Sequence, residues 1–437
     1  MSDQTSDPQS QVQVRFTTRH ADVAVPTAPI LVPTTLKRYG LSEVINHLLD
    51  TDTPTPFDFL INGSFLRTSL DDYLTQNGLS RETVVEIEYI RAVLPPSHLA
   101  SYEHPDWVGS VHVREKLVLS GAYDGIARVW NMSGDVVCAT SAVDAPLKSV
   151  KWVDEGRFVT AGMDRTVRLW EWDAQEVAGE DGAAEARCLG RFKGHSAAIE
   201  DLAVAGNNVL SAGADGVLNF YSLNTAEQNE ASEDEDTGAQ RKRRRTAKSA
   251  PQAPSYSPLL TLTQSETSSG ANPSPLSATI FAPESSELAY TASWDHSVRT
   301  YDLPTATLLS TITPTSHPLL SLCALPSLHL LAAGTASRTI TLIDPRAGAA
   351  TTNAGSLTGH TGMVVSVCQN GQSYGVNSAS HDGTVRVWDV RAMKGAIHVL
   401  RPREEGKMFG VDGGEMGIVG GGEGKRIEVW SHVEKRD

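Results

Sequence analysis

Two stretches of this chain carry a histidine, a serine and an aspartate in close order. His195, Ser211 and Asp215 are followed by Tyr221, and His360, Ser378 and Asp382 by Trp388. A hydroxyl, an imidazole base and an orienting carboxylate are the parts of a nucleophilic hydrolase triad. A third stretch, Gly420-Gly421-Gly422-Glu423-Gly424-Lys425, imitates a phosphate-binding loop. Context removes both readings. The glycine run lacks its first glycine, since Val419 stands there, and Arg426 replaces the Ser or Thr that would hold magnesium. It also lies on a predicted strand and not ahead of a helix, so no helix N-terminus faces the loop. The His-Ser-Asp sets recur in step with a longer repeat, and a catalytic site has no reason to recur.

That repeat is an eleven-residue phrase found at Ser120–Trp130, Thr160–Trp170, Ser211–Tyr221, Thr291–Tyr301, Ala332–Leu342, Ser378–Trp388 and Gly420–Trp430. Most copies stand about 40–50 residues apart, the period of a propeller blade. Each phrase reads as strand, tight turn, strand. Asp124, Asp164, Asp215, Asp295 and Asp382 fall in the turns, where a carboxylate accepts backbone N–H bonds. The set of His, Ser, Asp and aromatic resembles the hydrogen-bonded tetrad of WD-repeat blades. On that reading His195, Ser211, Asp215, Tyr221, His360, Ser378, Asp382 and Trp388 are structural tetrads and no residue is catalytic.

Composition sets the remaining bounds. A net charge of -15 speaks against a protein that coats nucleic acid, although local basic patches stay open. The four cysteines have no paired spacing, so neither zinc nor a disulfide framework is indicated, and a reducing, intracellular compartment is expected. No apolar run approaches a membrane span.

Residues 11–94 stand outside the repeat, after a polar tail (1–10) expected to be disordered. Val12, Val14 and Phe16 alternate as a half-buried strand does, and Ile30 to Leu36 holds a second strand around Pro33. Ser42 is expected to cap a helix through Leu49 with Leu41, Val44, Ile45, Leu48 and Leu49 on one face. Phe57 to Ile61, Asn62-Gly63 and Phe65 to Arg67 predict a hairpin, a short turn follows, and Val84, Ile87 and Tyr89 sit in a last strand. This order predicts a small α+β ubiquitin-like (β-grasp) domain. Residues 98–437 then form an all-β seven-bladed propeller. Its last blade is completed by His98 to His104, because few residues follow Trp430. The segment 224–257 is expected to be a disordered insertion in blade three. It is acidic at Glu233–Asp236 and basic at Arg241, Lys242, Arg243, Arg244 and Arg245, and that run reads as a nuclear-localisation patch.

The segments Pro56 to Ser80 and Val84 to Ser97 resemble the Notchless-like domain of ribosome-biogenesis WD proteins. With the basic loop in blade three, the whole chain is similar to the Ytm family, called WD-repeat protein twelve in animals. The resemblance implies a non-enzymatic assembly factor of the large (60S) ribosomal subunit and its rRNA maturation, working in nucleolus and nucleoplasm on the pre-60S particle. It implies a propeller that binds a Bop-type WD-repeat protein, which in turn holds Pescadillo. It implies a ubiquitin-like domain that docks on the metal-ion-dependent adhesion site of midasin, an AAA ATPase that pulls the factor off the particle. No cofactor is intrinsic and no membrane is involved. A divalent metal, Mg²⁺, is shared at the ATPase interface, and Glu82 matches the family's metal-reaching acid. A hard cation of this kind takes an exposed carboxylate from a loop. Glu86 and Glu88 lie in the following strand, and Asp71 and Asp72 are rivals in the preceding turn. The alternative is a ubiquitin-pathway substrate adaptor or scaffold, although Arg91-Ala92-Val93 runs on where conjugation would need a di-glycine end.

Overall fold

The computed structural model describes residues 10–50, 54–80, 82–92, 95–172, 184–224, 253–263, 273–346, 353–414 and 417–431. The chain divides into two compact units, residues 1–95 with 390–396, and residues 96–389 with 397–437.

The first unit runs β1 (Gln11–Thr17), β2 (Ile30–Pro33), α1 (Arg38–Leu49), β3 (Phe57–Ile61), β4 (Ser64–Phe65), α2 (Leu70–Gln76) and β5 (Val85–Arg91). The sheet order is β2-β1-β5-β3-β4, with β1 and β5 parallel at the centre. That is the β-grasp arrangement. Alternation in β1 buries Val12, Val14 and Phe16, which pack with Leu41 and Ile45 of the helix and with Phe57, Phe59, Ile87 and Tyr89. The Tyr89 hydroxyl stays satisfied in this core by donating to the Val23 carbonyl (2.6 Å) and accepting from the Val25 amide (3.0 Å). Asn62 and Gly63 turn the β3–β4 hairpin at φ 51° and 71°, the left-handed pair that a two-residue type I′ turn requires.

Three expectations for this unit are corrected. Ser42 does not cap α1; the helix starts at Arg38 with Lys37 at the N-cap. Ser42 lies inside the helix because its hydroxyl has other partners. It accepts from the Phe57 amide (3.0 Å) and donates to the Thr55 carbonyl (3.2 Å), tying the helix to β3. The expected short turn is the helix α2, capped by Ser69, whose Oγ accepts from the Asp72 amide. Residues 390–396 belong with this unit and not with the propeller: Ala392 is buried with Leu60 and Ile90, and Arg67 donates to the Ala396 carbonyl at 2.7 Å.

Among the described residues the second unit has seven blades: five are separate four-stranded antiparallel sheets, and blades one and two are joined into a nine-stranded sheet by the parallel pairing of Ala184–Ala186 with Cys138–Thr140, with Ser255–Tyr256 added at the edge of blade two. Each phrase of the repeat supplies the two middle strands and their turn. The residue after the turn aspartate takes a left-handed φ. It is Gly125, Gly216 and Gly383 at 73–77°, but Arg165 at 65° and His296 at 73° in the blades without that glycine. In the seventh blade Met408–Gly414, Gly417–Gly422 and Arg426–Ser431 are joined by Ser97–Glu103, with Trp430 opposite His98 and Arg426 opposite Glu103. The glycine run is thus strand-turn-strand. Arg426 pairs with Glu103 at 2.7 Å, and the buried Glu428 bonds His98 (2.5 Å) and Ser101 (3.0 Å), so the ring is closed by charge as well as by backbone.

The insertion is shorter than expected. Ser255–Tyr256 form a strand parallel to Arg191 and Phe192 of blade two, and Tyr256 is buried with its ring 5.4 Å from that of Phe192. The segment expected to be disordered through residue 257 is therefore ordered at Ser255–Tyr256, where a buried aromatic anchors it. The basic run 241–245 and the acidic run before it lie outside the described residues, as does the polar tail through residue 9.

Candidate functional site

The sixth blade holds a complete tetrad. Asp382 Oδ2 takes the Nδ1 proton of His360 at 2.7 Å, so His360 Nε2 accepts from Ser378 Oγ at 2.8 Å, and Ser378 Oγ accepts from Trp388 Nε1 at 2.7 Å. Blade three repeats the arrangement: His195 Nδ1 lies 3.1 Å from Asp215, and its Nε2 lies 2.6 Å from Ser211 Oγ. Tyr221 is fully buried at the aromatic position, and burial pushes its phenol up. Ser211 and Ser378 have no solvent exposure, so neither oxygen can meet a substrate. Burial would push the Asp382 carboxyl up, but the bonds from His360, Thr384 and the Thr361 amide outweigh it and hold the carboxyl well below the usual range. The chemistry of the set is that of a structural strut, an ionised carboxylate orienting a neutral imidazole.

Sequence reasoning missed two parts of this system. Blade one has three members of a tetrad: His104 Nε2 lies 3.2 Å from Ser120 Oγ, which accepts from Trp130 Nε1 at 2.8 Å. Its histidine sits at the end of the closing strand, before a proline, and carries no glycine to mark it. Asp124 there does not reach His104 Nδ1 and pairs instead with Arg128 at 2.7 Å. Such Asp–Arg pairs recur at Asp164–Arg168, Asp295–Arg299 and Asp382–Arg386. The signal was present as an arginine four places after the turn aspartate in four phrases.

Side chains of the inner strands also lock neighbouring blades. Ser149 Oγ accepts from the Leu202 amide (3.2 Å), Asp201 Oδ2 from the Thr279 amide (3.1 Å), Ser366 Oγ from the Val411 amide (3.2 Å) and Asp412 Oδ2 from the Val113 amide (2.7 Å). These residues line a central cavity of about 610 Å³. Burial pushes Asp201 and Asp412 up, with Lys151 opposing it. Among the described residues no group of three or more His, Cys, Asp and Glu side chains is placed to hold a metal.

A pH dependence follows from the buried imidazoles. Burial, then the Arg128 charge, lowers His104 to about 4, and burial lowers His112 and His360 as well. The unfolded chain takes up these protons near the ordinary histidine value of about 6.5, while the folded chain does not. The stabilisation is therefore complete above that value and is lost as pH falls towards the folded one. Asp201 and Asp412, raised in the fold, act with the opposite sign. We expect His104→Gln to remove about 2–3 kcal/mol of the stability difference between neutral pH and pH near 4. Denaturant titrations of both proteins at the two pH values check this; parallel curves would refute it.

In the first unit the turn after α2 presents Glu82. Its amide donates to Ser80 Oγ at 3.2 Å, and Thr83 Oγ1 donates to the Ser80 carbonyl at 3.1 Å, so the turn is shaped by its own hydroxyls. Glu82 is exposed, and among the described residues its carboxylate has no hydrogen-bond or ion-pair partner. The other acids nearby are engaged. Glu86 pairs with Arg15 (3.1 Å), Glu88 with Arg19 (3.0 Å), and Asp72 accepts from Ser69 Oγ (2.6 Å) at the helix cap. Asp71 is half-buried in the first turn of α2.

A β-grasp unit ahead of a seven-bladed ring defines a class of protein, and the comparisons agree with both parts. Residues 12–74 match the NLE (NUC135) domain family, and residues 97–131, 138–171, 186–222 and 352–389 match the WD domain, G-beta repeat. The crystal structure of the WD40 beta propeller domain of Doa1 superposes with a TM-score of 0.59 over 78% of this chain and 98% of that one, at 17% identity, and supports the fold alone. Ribosome biogenesis protein ytm1 of Aspergillus oryzae is 44% identical over 96% of this chain and 95% of its own, and ribosome biogenesis protein YTM1 of Coccidioides immitis 41% over 98% and 96%. The chain belongs to the Ytm1 family of ribosome biogenesis proteins.

Proposed function

We propose that this protein is a non-enzymatic assembly factor of the large ribosomal subunit, carried into the pre-60S particle by its propeller and withdrawn through its ubiquitin-like domain. The single observation behind the withdrawal step is Glu82, an exposed loop carboxylate without a partner among the described residues, while Glu86, Glu88 and Asp72 are paired. Such an oxygen suits a divalent metal, most simply Mg²⁺, held in the adhesion site of a midasin-type AAA ATPase, which leaves one position for an external carboxylate. This chain supplies the ligand; the partner supplies the metal, and ATP-driven movement of the partner supplies the force. The propeller is the platform for a Bop-type WD-repeat protein bound to Pescadillo. Purification of tagged full-length protein, with its RNA and proteins identified, tests the assignment. Large-subunit precursors with the Bop-type protein and Pescadillo support it. A preparation dominated by ubiquitin-ligase subunits would replace it with the adaptor reading.

The same reading places the protein in nucleolus and nucleoplasm, with Arg241 to Arg245 as the import signal. Deleting residues 225–252 should change thermal stability little, since loop length carries a small entropic cost and the strand Ser255–Tyr256 is retained. Nuclear accumulation should fall. A fluorescent fusion to residues 224–257 that stays cytoplasmic while the full protein is nuclear would remove the signal from this loop.

A further inference from the structure

The outermost strand of a blade is paired on one side only, and an open edge invites another strand. The chain itself fills two such edges. On blade one, Ala184-Glu185-Ala186 lies parallel to Cys138-Ala139-Thr140. On blade two, Ser255–Tyr256 lies parallel to Arg191 and Phe192, and the amides of Arg191 and Lys193 donate to the carbonyls of Pro254 and Tyr256 at 2.8 and 2.9 Å. In both blades the added strand sits just past a bulge in the outer strand, at Val137 in blade one and Leu189 in blade two.

Blade four repeats this geometry with no added strand among the described residues. Its outer strand, Thr307–Ile312, pairs with Val298–Asp302 and is bulged at Leu309. Counted from the bulge, Ser310, Thr311 and Ile312 stand where Cys138, Ala139 and Thr140 stand in blade one, and Gly190, Arg191 and Phe192 in blade two. The Thr311 and Thr313 amides are then the outward donors that correspond to Arg191 and Lys193. Leu308 and Leu309 are 43% and 56% exposed. No Asp, Glu, Lys or Arg occurs from Leu303 to Ser337. The charges and prolines that normally protect a sheet edge are therefore missing from this strand. The other outer edges are less inviting: blade three offers the unbulged Leu260–Thr263, blade six only His398–Leu400, the blade-seven strand ends in Glu103, paired with Arg426, and the blade-five strand Asn353–Thr358, although bulged at Ala354, exposes no large apolar side chain.

We infer that the blade-four edge binds an extended segment of another protein by strand addition. The segment brings a large apolar side chain against Leu308 and Leu309, as Tyr256 is brought against Phe192 in blade two. It is basic outside the paired residues, because a chain of net charge -15 repels a second copy of itself and attracts a cation-rich partner. Main-chain bonds give such a complex its affinity and the alternate side chains its selectivity. This inference stands independently of the Glu82 reading, since it concerns a different unit and needs no metal.

The test uses the full chain and a labelled peptide in which valine, tyrosine and threonine alternate between lysine-rich ends, beside the same peptide with glutamate-rich ends. Fluorescence anisotropy should show binding of the basic peptide only. Hydrogen exchange at the Thr311 and Thr313 amides should slow by about tenfold or more on binding, as amides entering a ladder do. Leu309→Lys and Thr311→Pro should each abolish both effects. An outward-facing edge position tolerates proline, so the second variant stays folded, which its unchanged circular dichroism would show. No binding, equal binding of the two peptides, or binding that persists in both variants would overturn the proposal. So would protection of Thr311 in the free chain that disappears on deleting residues 225–252, which would make the occupant a segment of this chain. A concentration-dependent dimer in light scattering, lost in Leu309→Lys, would make it a second copy.

Discussion

Purified Glu82→Ala is expected to lose binding to the adhesion domain of the midasin-type ATPase while keeping both of its own units folded. Truncating one partner of a buried charge pair at an interface costs about 2–5 kcal/mol, and a loss of that size, on the order of thirtyfold to several thousandfold, is expected for the carboxylate-to-metal contact. The folded protein has little to lose. Glu82 is exposed and has no side-chain partner among the described residues, so the variant leaves neither a cavity nor an orphaned group, and its melting temperature should match the parent. Glu82→Asp should also bind more weakly, because the carboxylate retracts by about one C–C bond and Mg²⁺ tolerates little departure from octahedral geometry. The direct measurement is titration of wild type and variants against the adhesion domain, with and without EDTA. In cells the Ala variant should enter pre-ribosomes and accumulate there, because assembly precedes extraction. Wild-type binding that survives EDTA would remove the metal from the contact. Variant binding equal to wild type would move the search to Asp71 and Asp72.

The rivalry among these acids shows where the sequence stops being informative. Residue type and position left Glu82, Glu86, Glu88, Asp71 and Asp72 all open as oxygen donors. Fold geometry separates them, since β1 brings Arg15 beside Glu86, the segment just after β1 brings Arg19 beside Glu88, and helix α2 turns Asp72 back onto Ser69. Those partners lie far away in the chain, or depend on a helix too short to announce itself by periodicity. Ser42 failed for a related reason. A hydroxyl near a helix start reads as a cap, and only the approach of Phe57 shows that it is bonded sideways. The blades were legible because five of the seven phrases share one local code of turn aspartate, apolar alternation and terminal aromatic, and the other two keep its spacing. His104 was hidden because it follows Ser97–Glu103, the strand that closes blade seven from the other end of the repeat array, with no glycine before it. Tyr256 was hidden because strand addition depends on an edge that no local pattern describes.

The second large effect is expected in the sixth blade. Asp382 accepts from His360 Nδ1 (2.7 Å), the Thr361 amide (3.0 Å), the Thr384 amide (2.9 Å) and Thr384 Oγ1 (2.6 Å), and lies 3.7 Å from Arg386. Asp382→Ala strands these donors around a buried site. At about 1–3 kcal/mol for each group left unsatisfied, with water rescuing the outer ones, a net loss of about 3–5 kcal/mol is expected. Asp382→Asn keeps one acceptor oxygen but sets an NH₂ among donors, and should cost about half as much. The deficit has a definite pH signature. Because the folded carboxyl is held well below the ordinary value of about 3.9, its stabilisation is complete above that value and declines as pH falls below it. The gap between wild type and Asp382→Ala should therefore be widest at neutral pH and close in strong acid. Ser378→Ala should also destabilise, since it leaves Trp388 Nε1 and His360 Nε2 without their shared oxygen. The double variant should cost less than the two losses added, because both act through the one imidazole between them. Urea titrations of the wild type, the Asp382→Ala, Asp382→Asn and Ser378→Ala variants and the double variant across pH decide the matter. A loss in Asp382→Ala below about 1 kcal/mol, or strict additivity with Ser378→Ala, would show that the four side chains are neighbours and not a strut.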